Sequence, residues 1–495
     1  MRREQPARKD TPVMTTQPQT TTPIRSRSPV ALATAVLVGA LSTLAAPGLA
    51  QADTNEELLK ELRALKARVA ELEKKVEQAE TRAAENPPGM TPEQIQDFNR
   101  IAIKAEALED SRDMLGFKGL KINGYMDPTF IYNQRQDRAG FQFLNNVSDD
   151  GYNYDNSYFG AAVIDFTKET EGGSRWRLTL APNRGVGSVF NGESPIHEAS
   201  VSIPLSDLQT RFIAGQIPDW SGYEYLQPTL NKLITHNLLF DFTLPTAYTG
   251  AGMEITRGKW LVKAMLANVN GTRRNPGETS PALVYRVDYA KGEFQGFGFA
   301  GVHGKAANFS ENILDEFDEV VAQPDSSVNL FEFDAYFIRG DWTVQGQLSW
   351  GQQAKSAISV DPDTGALRDA QWWGASALAA YKFEPRLEGT LRVDYLNNRQ
   401  NGGGLFGYSG ADDRNGIGPA VVGVDDDGTP IYGDTERGVN RWALSLGLSY
   451  LFNQNTTFKV EYRFDGASGP VFLDVRDGNY RKTNQLLGAS VLVSF

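Results

Sequence analysis

The run Leu487-Gly488-Ala489-Ser490-Val491-Leu492-Val493-Ser494-Phe495 decides how the rest of the chain is read. Leu487, Ala489, Val491, Val493 and Phe495 share one face of an extended strand, and Gly488, Ser490 and Ser494 share the other, with Leu492 the exception. Such a strand exposes an apolar face that nothing later in the sequence can cover. Lipid can cover it if the strand belongs to a closed barrel, which has no unpaired edge.

The bulk numbers agree with a large barrel. The chain has 495 residues, too many for one ordinary soluble core. Lys and Arg number 49 against 61 Asp and Glu, a net charge of −12 that disfavours nucleic acid as a partner. Cysteine is absent, which removes disulfides, thiolate metal sites and cysteine nucleophiles together. Mean hydropathy is negative and only one apolar run approaches the length of a spanning helix, so a helical bundle is excluded. Barrel strands escape hydropathy scales because polar and apolar residues alternate along them.

That one apolar run, Ala31 to Ala46, follows Arg25 and Arg27 and precedes Ala50-Gln51-Ala52. A basic flank, a short apolar stretch and a small-x-small site make residues 1–52 a secretory signal. Residues 53–86 then carry heptads. Leu58, Leu65 and Leu72 take d positions and Leu62, Val69 and Val76 take a positions. In a parallel pair Glu61 would face Lys66, Arg68 would face Glu73 and Lys75 would face Glu80. All are opposite in sign, so the chain is expected to partner itself through a parallel coiled coil in the periplasm. Branched a with Leu d leans towards two strands, whereas barrels of this kind are usually trimers. Residues 87–117 form a linker and a helix over 92–114, with Ile95, Phe98, Ile101, Ala102 and Ala105 as its apolar stripe.

From residue 118 to 495 the period changes to two, predicting an all-β transmembrane antiparallel barrel of about 16 strands. They are expected near 119–134, 156–168, 174–182, 197–204, 209–217, 247–256, 259–270, 281–290, 293–304, 328–338, 342–350, 371–383, 386–398, 440–452, 456–465 and 484–495. Trp442, Leu444, Leu446, Leu448 and Tyr450 oppose Arg441, Ala443, Ser445, Gly447 and Ser449. Many apolar rows end in Trp, Tyr or Phe, as at a lipid headgroup boundary. Tight turns and long loops alternate throughout, which a barrel crossing a membrane requires and a soluble sandwich does not. Pro128 sits badly in the first strand, because it cannot donate to a ladder.

The polar rows should point inwards. They carry Arg175, Arg177, Arg286, Asp288, Glu332, Asp334, Glu388, Arg392, Asp394, Arg441, Lys459, Glu461 and Arg463. So many charges buried dry would carry a large desolvation penalty, so a water-filled lumen that they line is expected. Many of them should also pair across strands. The third long loop, 218–246, is rich in Leu233, Ile234, Leu238, Leu239, Phe240 and Phe242. A 29-residue apolar loop should fold inwards or pack on the barrel wall.

Gly215-Gln216, then Gly222-Tyr223-Glu224, Asn231, His236, Phe240, Pro245 and Thr249-Gly250, resemble the central signature of the OmpL-like porin family. The final strand likewise resembles that of Gram-negative outer-membrane proteins, in which Phe495 would be an assembly signal read by the barrel assembly machinery. The resemblance implies an outer-membrane location and passive passage of small hydrophilic solutes, with outer-membrane lipid as a partner. By analogy with general porins, Asp219, Tyr223, Glu224, Lys232 and His236 would be constriction residues. The basic ladder of phosphate-selective porins is not evident.

No cofactor or metal is expected. His197, His236 and His303 lack metal-ligand spacing, and Gly296-Phe297-Gly298-Phe299-Ala300-Gly301 fits a nucleotide fingerprint only on paper, inside a candidate strand. The chain is expected not to be an enzyme. Two rivals to a channel stay open: a tether whose barrel is plugged and whose coil grips another envelope layer, and a barrel hydrolase.

Overall fold

The structure is a computed structural model. It describes residues 98, 100–104 and 117–495, except 143–159, 182–194, 272–273, 275, 291, 309–312, 317–319, 323, 358–359, 362, 399, 401–417 and 426–427. The secretory segment and the heptads therefore lie outside the described residues. Of the 92–114 helix, residues 100–104 are helical, and Phe98 and Ile101 are exposed.

Sixteen spanning strands close into an antiparallel barrel. In chain order they are β1, in two segments (Leu120–Met126 and Thr129–Asn133), β2 (Ala162–Glu169), β3 (Arg175–Leu180) and β4 (Ile196–Asp207). Next come β5 (Thr210–Pro218), β6 (Ala247–Arg257), β7 (Trp260–Val269) and β8 (Ala282–Ala290). β9 (Gln295–Ala307), β10 (Asp325–Arg339), β11 (Trp342–Gln353) and β12 (Ala370–Glu384) follow. The set ends with β13 (Leu387–Asn397), β14 (Arg441–Asn453), β15 (Thr456–Ala467) and β16 (Thr483–Ser494). Each pairs with the next, and β16 closes the ring on both segments of β1. Closure leaves no edge to template aggregation.

The register carries the sequence alternation across the wall. Trp442 pairs with Tyr395 and Gly466, Leu446 with Leu391 and Tyr462, and all of these apolar side chains lie on the exposed outer face. The opposite face sets Arg463 against Ser445 and Leu486. Leu492 fits as well: paired with Thr457, it points inwards and is buried.

The first strand resolves the difficulty at Pro128 by breaking. The Asp127 carboxylate accepts from the Gly160 and Ala161 amides, replacing bonds the ladder loses there. Beyond the break β1 parts from β2 and pairs with a short strand, Arg138–Gln142. The second strand starts at Ala162, and residues 156–159 of the expected strand lie outside the described residues.

Candidate functional site

The loop between β5 and β6 turns into the barrel and lies along its inner wall. Its apolar residues explain the turn. Leu238, Leu239, Phe242 and Leu244 have almost no exposed surface and join Tyr248, Met265, Val284, Val302, Leu330, Trp372 and Leu396 from the wall in one apolar cluster. The only helix among the loop residues, α1 (Leu238–Phe242), is a single turn capped by Asn237, whose Oδ1 accepts from the Phe240 amide at 2.8 Å. Two glycines permit the close approach: a β-carbon at Gly447 would strike Leu233, and Gly222 has φ +79° against the Gln347 side chain.

A loop dragged into a protein interior must satisfy its own amides and carbonyls. Charged side chains of the wall do so here. Glu461 accepts from the Ile234 and Thr235 amides at 2.7 and 2.8 Å and from the Thr235 hydroxyl at 2.6 Å. Arg392 donates to the Thr235 and His236 carbonyls at 2.7 and 2.8 Å, and Arg463 donates to the His236 carbonyl at 2.6 Å. Lys459 holds the Pro228 and Asn231 carbonyls, both at 2.7 Å. Glu224 answers from the loop: one oxygen meets Arg392 at 2.8 Å and the other accepts from the Asn237 amide at 2.6 Å.

These charges are dry. The side chains of Arg392, Glu461, Arg463, Arg441 and Asp465 are each 0 % exposed. Arg463 and Arg441 both reach Asp465, at 3.0 and 3.2 Å, and Asp394 holds Arg392 at 3.1 Å. The expectation that all the inward charges line water is corrected for this sector. Loop backbone and paired ions replace water there, as a buried ion requires.

The loop candidates separate by environment. Lys232 is partly exposed and pairs with Glu388 at 2.8 Å. Tyr223 is buried with its hydroxyl 2.6 Å from that of Ser376. His236 stacks on Phe240, and burial pushes its imidazole down to about 3, so the ring is neutral at physiological pH. Asp219 accepts from Ser221. Arg286 binds Asp288 and Asp334, both at 2.8 Å, and donates to the Trp220 carbonyl, with Glu332 buried beside them.

The opposite sector of wall is wetter. Arg177 is 30 % exposed and lies between Asp165 at 2.8 Å and Glu198 at 3.2 Å. Glu254, 26 % exposed, pairs with Lys263 at 3.3 Å, and Arg175 with Glu169 at 3.1 Å. Sequence reasoning singled out Arg175 and Arg177 but missed Asp165, Glu198, Glu254 and Lys263. Inward parity within their strands was the available signal. It also missed Thr235 and Asn237, which act through a loop contact that no period reveals.

No curated protein matches the chain. Solved structures similar to it include the anion-selective porin from Comamonas acidovorans, at 10% identity and a TM-score of 0.48, covering 76% of this chain and 99% of that one. The loop L8 deletion mutant of OmpT, an outer membrane protein of Vibrio cholerae, is 10% identical, with a TM-score of 0.47 and coverage of 76% and 99%. OmpF of Salmonella typhi in complex with daunomycin is 12% identical, with a TM-score of 0.44 and coverage of 76% and 97%. The comparisons do not return the OmpL-like family. The family profile that matches spans residues 90–495, most of the chain and the whole barrel, and by that match the chain belongs to the family described as protein of unknown function, DUF3138.

Proposed function

We propose that the chain is an outer-membrane porin, a passive, non-enzymatic channel for small hydrophilic solutes or ions. One observation carries the reading: inside a closed barrel with an apolar exterior, Asp165, Arg177 and Glu254 on β2, β3 and β6 keep contact with solvent, Arg177 beside the buried Glu198 and Glu254 beside the buried Lys263. A diffusion path needs such a hydrated polar wall, and a barrel that only anchors a coil does not. The inward loop narrows the lumen by its bulk. Arg175, Arg177 and Lys232 are the candidates that face what remains open. The OmpL-like signature at Gly215-Gln216 and Gly222-Tyr223-Glu224 supports the same reading. The short-turn side faces the periplasm, and the heptads at 58–76 assemble copies of the chain there.

A second reading, the plugged tether, draws on the loop itself. Its apolar residues pack across wall strands from β5 to β14. Single-channel recording of the purified full chain in a planar bilayer separates the two. Stable ohmic steps are expected of the porin; a correctly folded barrel that stays electrically silent would leave the tether.

A further inference from the structure

The long loop between β15 and β16 folds back as a hairpin, Phe472–Asp474 against Asn479–Arg481. Its tip, Val475 to Asn479, is exposed, but Val471 and Phe472 at its base are buried. Both join one apolar cluster with Ile131 and Leu486 of the wall and with Ile234 of the inward loop. Phe472 makes a second approach to that loop. The Arg441 guanidinium, fully buried beside Asp465, has its carbon 4.4 Å from the centre of the Phe472 ring and 5.8 Å from that of Phe242. A desolvated guanidinium is attracted to the faces of both rings.

The hairpin thus reaches the inward loop at two places: at Ile234 by apolar packing, and at Phe242, the last residue of α1, through Arg441. It is itself moored at the rim of the barrel. Asp474 binds Arg135, just beyond β1, at 2.8 Å and Arg476 at 2.7 Å, and the Val475 amide donates to the Arg135 carbonyl at 3.0 Å. One end of the hairpin is therefore fixed to the wall by ions, and the other is driven by its aromatic ring onto the loop inside.

We propose that this hairpin is a strap: seated, it holds residues 234–242 of the inward loop in place, and lifting it at the rim loosens that segment inside the barrel. Coupling between two places needs contacts that differ between two states. Phe472 supplies them, because one ring serves both the apolar cluster and the Arg441 guanidinium, and both contacts are lost together when it leaves. The consequence for passage rests on the porin reading: a loosened loop changes the width of what remains open.

Amide hydrogen exchange of the full chain in lipid vesicles tests the strap, since exchange reports local opening. Phe472→Ala is expected to speed exchange over residues 234–242 several-fold and to leave β7 and β8 unchanged. Val475→Ala, at the exposed tip, should leave all three unchanged. Phe472→Leu keeps an apolar side chain in the cluster but offers Arg441 no ring, so it should give a smaller rise, and it decides the matter if Phe472→Ala fails to fold. Unchanged exchange over 234–242 in the folded Phe472→Ala chain, or in Phe472→Leu where that chain does not fold, overturns the proposal. In a planar bilayer the Phe472→Ala channel should flicker between levels where the unaltered chain gives steady steps; identical steps from both would remove the strap's hold on passage. An unaltered chain that carries no current counts against the porin reading alone, because the exchange result does not depend on current.

Discussion

The inner wall of β13–β15 and that of β2–β7 use the same residue types to opposite ends. Both place Arg, Lys, Asp and Glu at inward positions with the same period of two. On β13–β15 Arg392, Glu461 and Arg463 have no exposed surface and bind the backbone of the inward loop. On β2–β7 the charges pair with each other, and Asp165, Arg177 and Glu254 keep solvent contact. Strand chemistry is therefore not what separates a sealed wall from a wet one. The loop backbone held against the β13–β15 charges is.

The largest test of that difference is to remove one buried partner. Glu461→Ala strips Arg392 of a neighbour and leaves two loop amides unsatisfied, and it should lower unfolding stability by about 3–5 kcal/mol. Arg177→Ala on the wet wall should cost less than about 1 kcal/mol. Reversible urea unfolding in lipid vesicles measures both, and equal losses would erase the distinction.

The apolar half of the seal comes next. Leu239→Ala opens a cavity beneath α1 and should cost about 2–5 kcal/mol, whereas the lipid-facing Leu444→Ala should cost much less. Matching losses in the same assay would mean that the loop does not pack as a core.

Selectivity sharpens the comparison further. Replacing Asp165 and Glu198 by Asn and Gln removes acid from the wet wall only, so the reversal potential in a salt gradient should move towards anions. Glu461→Gln, behind the loop, should leave it in place. A shift from Glu461→Gln with none from the pair would exchange the roles of the two walls.

The smallest effect lies outside both walls, in the loop between β15 and β16. Hydrogen bonds from Arg476 and Arg135 hold the Asp474 carboxyl well below the usual carboxylate range. A group depressed in the folded state contributes stability that is complete above its unfolded value, near pH 4, and is lost as pH falls from there. Asp474→Asn should flatten the acid limb of the stability profile and change little at pH 7. An unaltered acid limb would show that this carboxylate is not coupled to folding.

What the sequence determined by itself was the barrel. Alternation such as Lys459-Val460-Glu461-Tyr462-Arg463-Phe464 is a local property, since a period of two assigns each side chain to a face whatever the partner strand. The expected turns Arg257-Gly258 and Arg339-Gly340-Asp341 begin on the last residues of observed strands, with Gly258 and Gly340-Asp341 between strands. Even the break at Pro128 was visible, because a missing amide donor is a fact of the residue. The inward course of the apolar loop could be expected from Leu238, Leu239 and Phe242. Its partners could not: Glu461 meets the Thr235 amide across 226 residues of chain. Which inward charges are dry depends on that meeting, because desolvation is set by what lies against a charge in space. Tertiary structure alone decided that Arg463 holds a loop while Arg177 faces the lumen.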